Sequence, residues 1–246
     1  MLEKGLFIVL DGLDGAGKTN QREVMKILFE ELTHRRVIVT REPGGTPMAE
    51  VIRELLVHTK EVVRCDEPMH AMTELLLFMA GRNQHYNQLI KPRLDEGCVV
   101  ICDRWMDVTY AYQGTSRGLG SDVVKVLEDM TLKGARPDLT FIFDVDPAVG
   151  IARRKGTNEV NRLDGEEAQF YEEARATFLS RAAKDMDRYR LVDTNNKTEG
   201  DVGVEVAMEL IKLGHLPDTL TTKRYLEALG KVVAFPDFPP LVEIND

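Results

Sequence analysis

The 246-residue sequence is short of cysteine and has one tryptophan. Its three cysteines, Cys65, Cys98 and Cys102, are odd in number and form no C-x-x-C pair. That excludes a disulfide framework and points to buried free thiols in a reducing compartment. The five histidines include no close ligand pair, which argues against a structural zinc site. No apolar segment reaches the ~18–20 residues that span a bilayer, and the N-terminus lacks the basic start and apolar run of a signal peptide. A soluble, cytoplasmic protein is therefore expected. Positive charge is also in deficit: 32 Lys and Arg stand against 41 Asp and Glu, a net charge of -9. A general nucleic-acid or membrane-surface binder needs a broad basic field, so neither partner is expected. A local basic pocket for a small anion is still allowed. Internal repeats and low-complexity tracts are missing too, leaving one folding unit with ample length for a core.

What is present is an alternation of short apolar runs and longer helical patterns. The runs 5–11, 36–40, 99–103, 139–145 and 189–192 are continuously apolar, as in strands covered on both faces. Helical patterns fall at 17–33, 47–57, 66–96, 121–133, 147–155, 166–186 and 199–213. This order predicts an α/β fold with a helix-covered parallel sheet. Two segments fit less well. The polar stretch 156–165 separates two helical patterns. From about His215 the chain changes character, with a short helix around 223–229 and then a proline- and phenylalanine-bearing end. That end is either an extended segment lying over a surface or a partly disordered tail.

Three motifs follow strands. The first, GLDGAGKT, runs from Gly12 to Thr19 and has the spacing G-x-x-x-x-G-K-T. Gly12, Gly15 and Gly17 let backbone N–H groups close on phosphate oxygens, and the helix start adds its positive end. Lys18 reaches the transferring phosphates, and the Thr19 hydroxyl suits Mg²⁺. The second, Asp103-Arg104, closes the run VVICD. Its aspartate sits where a carboxylate orients a metal or its water, or else caps the next helix. The third, TREPGGT at 40–46, carries the charges Arg41 and Glu42, which a bare turn does not need. All three leave the carboxyl edge of the sheet, where ligands bind in such folds. Asn196-Lys197-Thr198-Glu199 approaches a guanine-reading N-K-x-D, but no D-x-x-G accompanies it, so a regulatory GTPase is disfavoured. The acidic balance and single domain likewise disfavour a nucleic-acid-remodelling ATPase.

Together GLDGAGKT (12–19), TREPGGT (40–46), LLFMAGR (76–82), DRWMDVTYAYQG (103–114), ARPDLTFIFDV (135–145) and NRLDGE (161–166) resemble the thymidylate kinase family. The match is to bacterial-type members and covers roughly residues 3 to 213. The resemblance implies a P-loop kinase fold, a five-stranded parallel sheet with helices on both faces and a short lid. It implies a kinase domain over 1–214, a lid at about 153–166 and a C-terminal extension over 215–246. It implies transfer of phosphate from ATP, with Mg²⁺, to dTMP; the alternative is a deoxynucleoside monophosphate kinase of broader base range, with dUMP or others accepted.

By position, residues 12–19 (Gly12, Leu13, Asp14, Gly15, Ala16, Gly17, Lys18 and Thr19) match the ATP-binding loop, and Thr19 and Asp103 the metal end. Phe78 matches the ring that stacks on thymine, and Arg82, Thr109 and Gln113 the residues around the base edge. Tyr112 matches the tyrosine beside the sugar. Arg53 and Arg104 match the arginines on the acceptor phosphate, Asp14 an acid near the sugar and reacting phosphate, and Glu42 a residue at the acceptor end. The loop holds no arginine, so the cation over the moving phosphoryl group is expected in the lid, at Arg162 first and Arg154 second. The family also implies a homodimer. The sequence departs from the family pattern at Asn20, Gly81, Trp105 and the extension.

Overall fold

The computed structural model describes residues 4–64, 67–155 and 168–231. Five parallel strands stand in the order β2-β3-β1-β4-β5: β1 (Leu6–Gly12), β2 (Val37–Arg41), β3 (Val99–Asp103), β4 (Leu139–Asp144) and β5 (Tyr189–Asp193). Every residue of β1 is buried, as its unbroken apolar run requires of the central strand. Alternation along it divides the core. Leu6, Ile8 and Leu10 face one layer, while Phe7 and Val9 face the other. The register pairs Leu10 with Asp103 and Thr40 with Cys102. The three motif-bearing strands therefore end side by side.

Helix α1 (Lys18–Thr33) opens on the left-handed Gly17 and buries Val24, Met25, Leu28 and Phe29 against the sheet. Helix α2 (Pro47–Val57) is built as its sequence prescribes. Thr46 caps it by accepting from the Ala49 N–H at 3.3 Å, and Pro47 takes the first turn. A short α3 (Thr59–Val63) follows.

The long helix expected over 66–96 is a composite among the described residues. Helix α4 (Ala71–His85) begins after Pro68, with His70 as its cap. A wide π-type turn spans Tyr86–Ile90, and α5 (Lys91–Asp95) carries Pro92 in its first turn. Proline cannot donate to the carbonyl four residues back, and the wider turn absorbs that break.

The helical patterns passed over 106–116, which is helical: α6 (Met106–Thr109) runs into a second π-type turn, Tyr110–Ser116. Helices α7 (Ser121–Leu132), α8 (Pro147–Lys155), α9 (Ala168–Lys184) and α10 (Glu199–Lys212) lie where the pattern placed them, within a residue or two. Thr198 and Asp201 form a capping box at the start of α10, so the N-K-T-E stretch serves as turn and cap.

Helix α11 (Leu220–Leu229) is longer than expected and belongs to the main core. Leu216 and Leu229 are buried in the same cluster as β1, and a Cβ placed on Gly203 of α10 would lie 3.0 Å from Leu229 Cδ2. Packing thus continues past residue 214 without a break. Cys98 and Cys102 are free and buried, as anticipated; Cys65 lies outside the described residues. Among the described residues no helix is long and apolar enough to cross a membrane. Leu229→Ala removes a buried side chain from the core, and denaturant unfolding should show a loss of about 2–5 kcal/mol. A loss below about 0.5 kcal/mol would show that α11 is an appendage.

Candidate active site

A cavity of about 990 Å³ lies along the carboxyl edge of the sheet, bounded by the phosphate loop, the 40–46 turn, α4, and the segment after β3. The loop's shape rests on left-handed backbone. Gly15 has φ +77° and Gly17 +85°. A Cβ on Gly15 would stand 2.3 Å from the Gly150 carbonyl oxygen, so α8 abuts the loop backbone to backbone.

Lys18 turns back over the loop and donates to the Gly12 and Leu13 carbonyls at 3.1 and 2.6 Å. Burial, and then the charge of Arg104, lower its pKa to about 8. Asp11, at the loop's base, accepts the Gly12 N–H with one oxygen and the Trp105 and Val108 N–H groups with the other. It therefore ties the loop to α6. Burial and the nearby Asp107 push its carboxyl up to about 6.

Asp14 is the meeting point of the cations. Its Oδ1 accepts from Arg104 Nη2 and lies 3.1 Å from Arg154 Nη1. Burial works against this carboxylate, but Arg104, Lys18 and Arg154 outweigh it and hold its pKa at about 2. Arg104 sits at φ +72°, a left-handed conformation that is strained for a side chain of this size. Its N–H bonds the Leu10 carbonyl at 2.8 Å, and its guanidinium lies 5.8 Å from the Tyr112 ring centre. Asp103 reaches the Thr19 hydroxyl at 3.5 Å with one oxygen; its other oxygen is buried and has no hydrogen-bond partner among the described residues.

At the far end, Glu42 is buried and doubly engaged. Arg82 Nε donates to one oxygen, and His85 Nδ1 lies 3.1 Å from the other. His85 Nε2 in turn meets the Thr40 hydroxyl at 2.8 Å. A carboxylate only accepts, so Nδ1 carries a proton in this contact, and Nε2 shares the second hydrogen bond with the Thr40 hydroxyl. Arg82 also donates to Thr109 Oγ1 at 2.9 Å and points Nη1 at the Met106 sulfur at 3.1 Å. Gln113 Nε2 donates to Glu74 Oε1 at 2.7 Å. Arg53 Nη1 donates to the Pro43 carbonyl at 3.1 Å, and Phe78 is half-buried on the wall. Arg41 and Glu42 do not pair with each other: Arg41 makes a two-pronged bridge to Glu50, at 2.9 and 3.1 Å.

The cavity brings together Asp14, Gly15, Ala16, Gly17, Lys18, Thr19, Glu42, Arg53, Phe78, Arg82, Asp103, Arg104, Tyr112, Gln113 and Arg154. Gly12, Leu13 and Thr109 do not line it. Gly12 ends β1, Leu13 packs in the core, and Thr109 is fully buried behind Arg82. Arg162 lies outside the described residues. Arg154, the second candidate, reaches Asp14, while its neighbour Arg153 donates to the Thr194 carbonyl at 3.0 Å. The motif reading passed over Glu74, His85 and Gln21, and it set aside Lys197 and Glu199, which stand on the wall. His85 and Glu74 had a sequence cue, their spacing from Arg82 and Phe78 on α4.

A phosphate loop at the switch point of a parallel sheet, opening into a cavity that continues along the same edge, defines a P-loop kinase of a small acceptor. The family model described as Thymidylate kinase matches residues 10–202. A thymidylate kinase of Ectopseudomonas mendocina is 48% identical over 191 residues, covering 77% of this chain and 87% of that protein. One of Pseudomonas syringae pv. tomato is 42% identical over 220 residues, covering 89% and 99%. The crystal structure of thymidylate kinase from Ehrlichia chaffeensis is 31% identical with a TM-score of 0.67, covering 84% of this chain and 99% of that one. The chain belongs to the thymidylate kinase family.

Because the free-state Lys18 loses its proton near pH 8, kcat/KM for ATP should fall above that pH as the site loses a cation. Bound phosphates favour the charged lysine, so the alkaline limb of kcat should lie at higher pH. A flat kcat/KM profile to pH 9.5 would show that Lys18 keeps its proton over this range, against the lowered pKa.

Proposed function

We propose that the protein transfers the terminal phosphoryl group of ATP to dTMP, giving dTDP for dTTP synthesis. One observation carries this: a single cavity joins the phosphate loop to a wall formed by Phe78, Arg82 and Gln113. Phe78 offers an aromatic face to a base, while Arg82 and Gln113 offer hydrogen bonds to its edge. Tyr112, beside Arg104, fills the space next to the sugar. Arg104 and Arg53 hold the acceptor phosphate.

The acceptor is already an anion, so no strong base is needed to activate it. The task is to bring two negative phosphates into line and stabilise charge on the moving group. The loop N–H groups and Lys18 hold the donor phosphates. Arg104, bridged to Asp14, sits where acceptor and donor meet. Arg154 approaches the same carboxylate from α8, and Arg162 is assigned the cation over the transferred group.

The pair Thr19 and Asp103 fits Mg²⁺: a hydroxyl and a carboxylate stand together, with one carboxylate oxygen buried and unpartnered. Bound with the nucleotide, Mg²⁺ neutralises phosphate charge. We assign about 153–166 to the lid, and we carry the kinase domain past the expected limit at 214 to include α11, since Leu216 and Leu229 share its core. We also assign the protein to the cytoplasm as a homodimer. Met48 and Val51 on α2 and Leu76 on the adjacent α4 leave apolar side chains 49–61% exposed, a surface suited to a second copy.

ADP release measured with ATP, Mg²⁺ and dTMP, dUMP, dCMP, dGMP or dAMP should show dTMP as the preferred acceptor; no turnover of dTMP overturns the proposal. Arg162→Ala should lower kcat at least a hundredfold, with a much smaller rise in KM for dTMP. A nearly unchanged kcat would remove Arg162 from the lid role.

A further inference from the structure

We infer that Glu74, a buried residue outside the cavity, sets the base specificity of the site by fixing which way the Gln113 carboxamide points. The inference rests on the reading above, that a pyrimidine lies between Phe78, Arg82 and Gln113.

A carboxamide is ambiguous. Turned by 180°, it exchanges an acceptor oxygen for a donor NH₂ with almost no change in shape. Gln113 alone would therefore accept two opposite base edges. Glu74 removes the ambiguity. Its Oε1 accepts from Gln113 Nε2 at 2.7 Å, and the turned amide would set oxygen against oxygen. The bond is buried: Gln113 and Glu74 are each 1% exposed. There an unmade or repulsive contact costs most. Position supports the assignment as well. Glu74 stands one turn before Phe78 and two before Arg82 on α4, so one helix face carries the stacking ring, the guanidinium and the orienting carboxylate. A buried carboxylate is expensive unless a cation is near, and Arg117 Nε lies 3.6 Å from the same Oε1. Glutamine would fill the same volume without that cost, so packing alone does not explain the charge.

The consequence is a fixed pattern on the wall. Gln113 Oε1 remains as an acceptor. Arg82, held by Glu42 and Thr109, remains as a donor. A donor beside an acceptor complements a pyrimidine with a carbonyl next to a ring N–H, as in thymine and uracil. Cytosine presents the reverse, an amino group next to a bare ring nitrogen. Glu74 is a positioning residue: it acts through Gln113 and touches no substrate.

The test is Glu74→Gln in the full-length enzyme with saturating ATP and Mg²⁺, measuring kcat/KM for dTMP, dUMP and dCMP beside the wild type. With glutamine at 74 both amides can turn together. The dTMP-to-dCMP ratio should fall about tenfold or more, the order of effect of one mispaired buried polar group. The dTMP-to-dUMP ratio should stay within about twofold, since those bases share the edge that Gln113 reads. A uniform loss on all three substrates, or an unchanged dTMP-to-dCMP ratio, overturns the inference. Should that variant not fold, Glu74→Asp keeps the charge, shortens its reach and is read by the same two ratios. Failure of the wild type to turn over dTMP would instead sink the proposed function, so the two results are distinct.

Discussion

The carboxylate of Asp14 holds together charges that would otherwise drive one another apart. Arg104 and Arg154 both reach it, and Lys18 lies close enough to feel both it and Arg104. Two like charges about 4 Å apart at an effective dielectric of 20 repel by about 4 kcal/mol. An acidic protein can keep such a cluster only with an anion at its centre. Everything else at the sheet edge follows from that need. Arg104 accepts a left-handed backbone to reach Asp14, and Asp11 pins the start of α6 beneath it. On the proposed reading, substrate phosphates would add further anions to this cluster.

A parallel arrangement operates at the acceptor end. There the central anion is Glu42, and Arg82, His85 and Thr40 are arranged around it. The two networks differ in purpose. Asp14 shares cations that reach toward phosphates. Glu42 immobilises Arg82, and His85 ties that glutamate to β2. One end is rich in charge and the other rich in fixed hydrogen-bond direction, which suits a site that moves a phosphoryl group at one end and reads a base at the other.

Much of this was legible in the chain. The three inner strands, β3, β1 and β4, are near-continuous apolar runs because both sheet faces are covered, and that signal is local; the edge strands β2 and β5 are only partly buried. The helical pattern at 47–57 was equally local, and α2 has those bounds. The π-type turns were not legible, since Pro92 forecasts a break but not how the helix absorbs it. The charge pair Arg41 and Glu42 was seen, yet its two members face different partners, Glu50 and Arg82, which only tertiary packing reveals. Glu74 and His85 stayed hidden because each acts on a residue about 40 positions away. Two departures from the family pattern become intelligible. Trp105 sets its ring edge-on to Phe7 at 5.2 Å and lies under Arg82, and Asn20 bonds Glu199 at the start of α10.

The contact between Gly15 and Gly150 has a mechanical meaning. Most neighbouring elements meet through side chains, which can flex and absorb small displacements. Here two backbones touch, and a Cβ on either glycine would run into the other strand of the contact. The junction behaves as a hard bearing. Arg154 is four residues beyond Gly150, one helical turn from that bearing. Its guanidinium is thus gauged from the phosphate loop itself, which it meets again at Asp14.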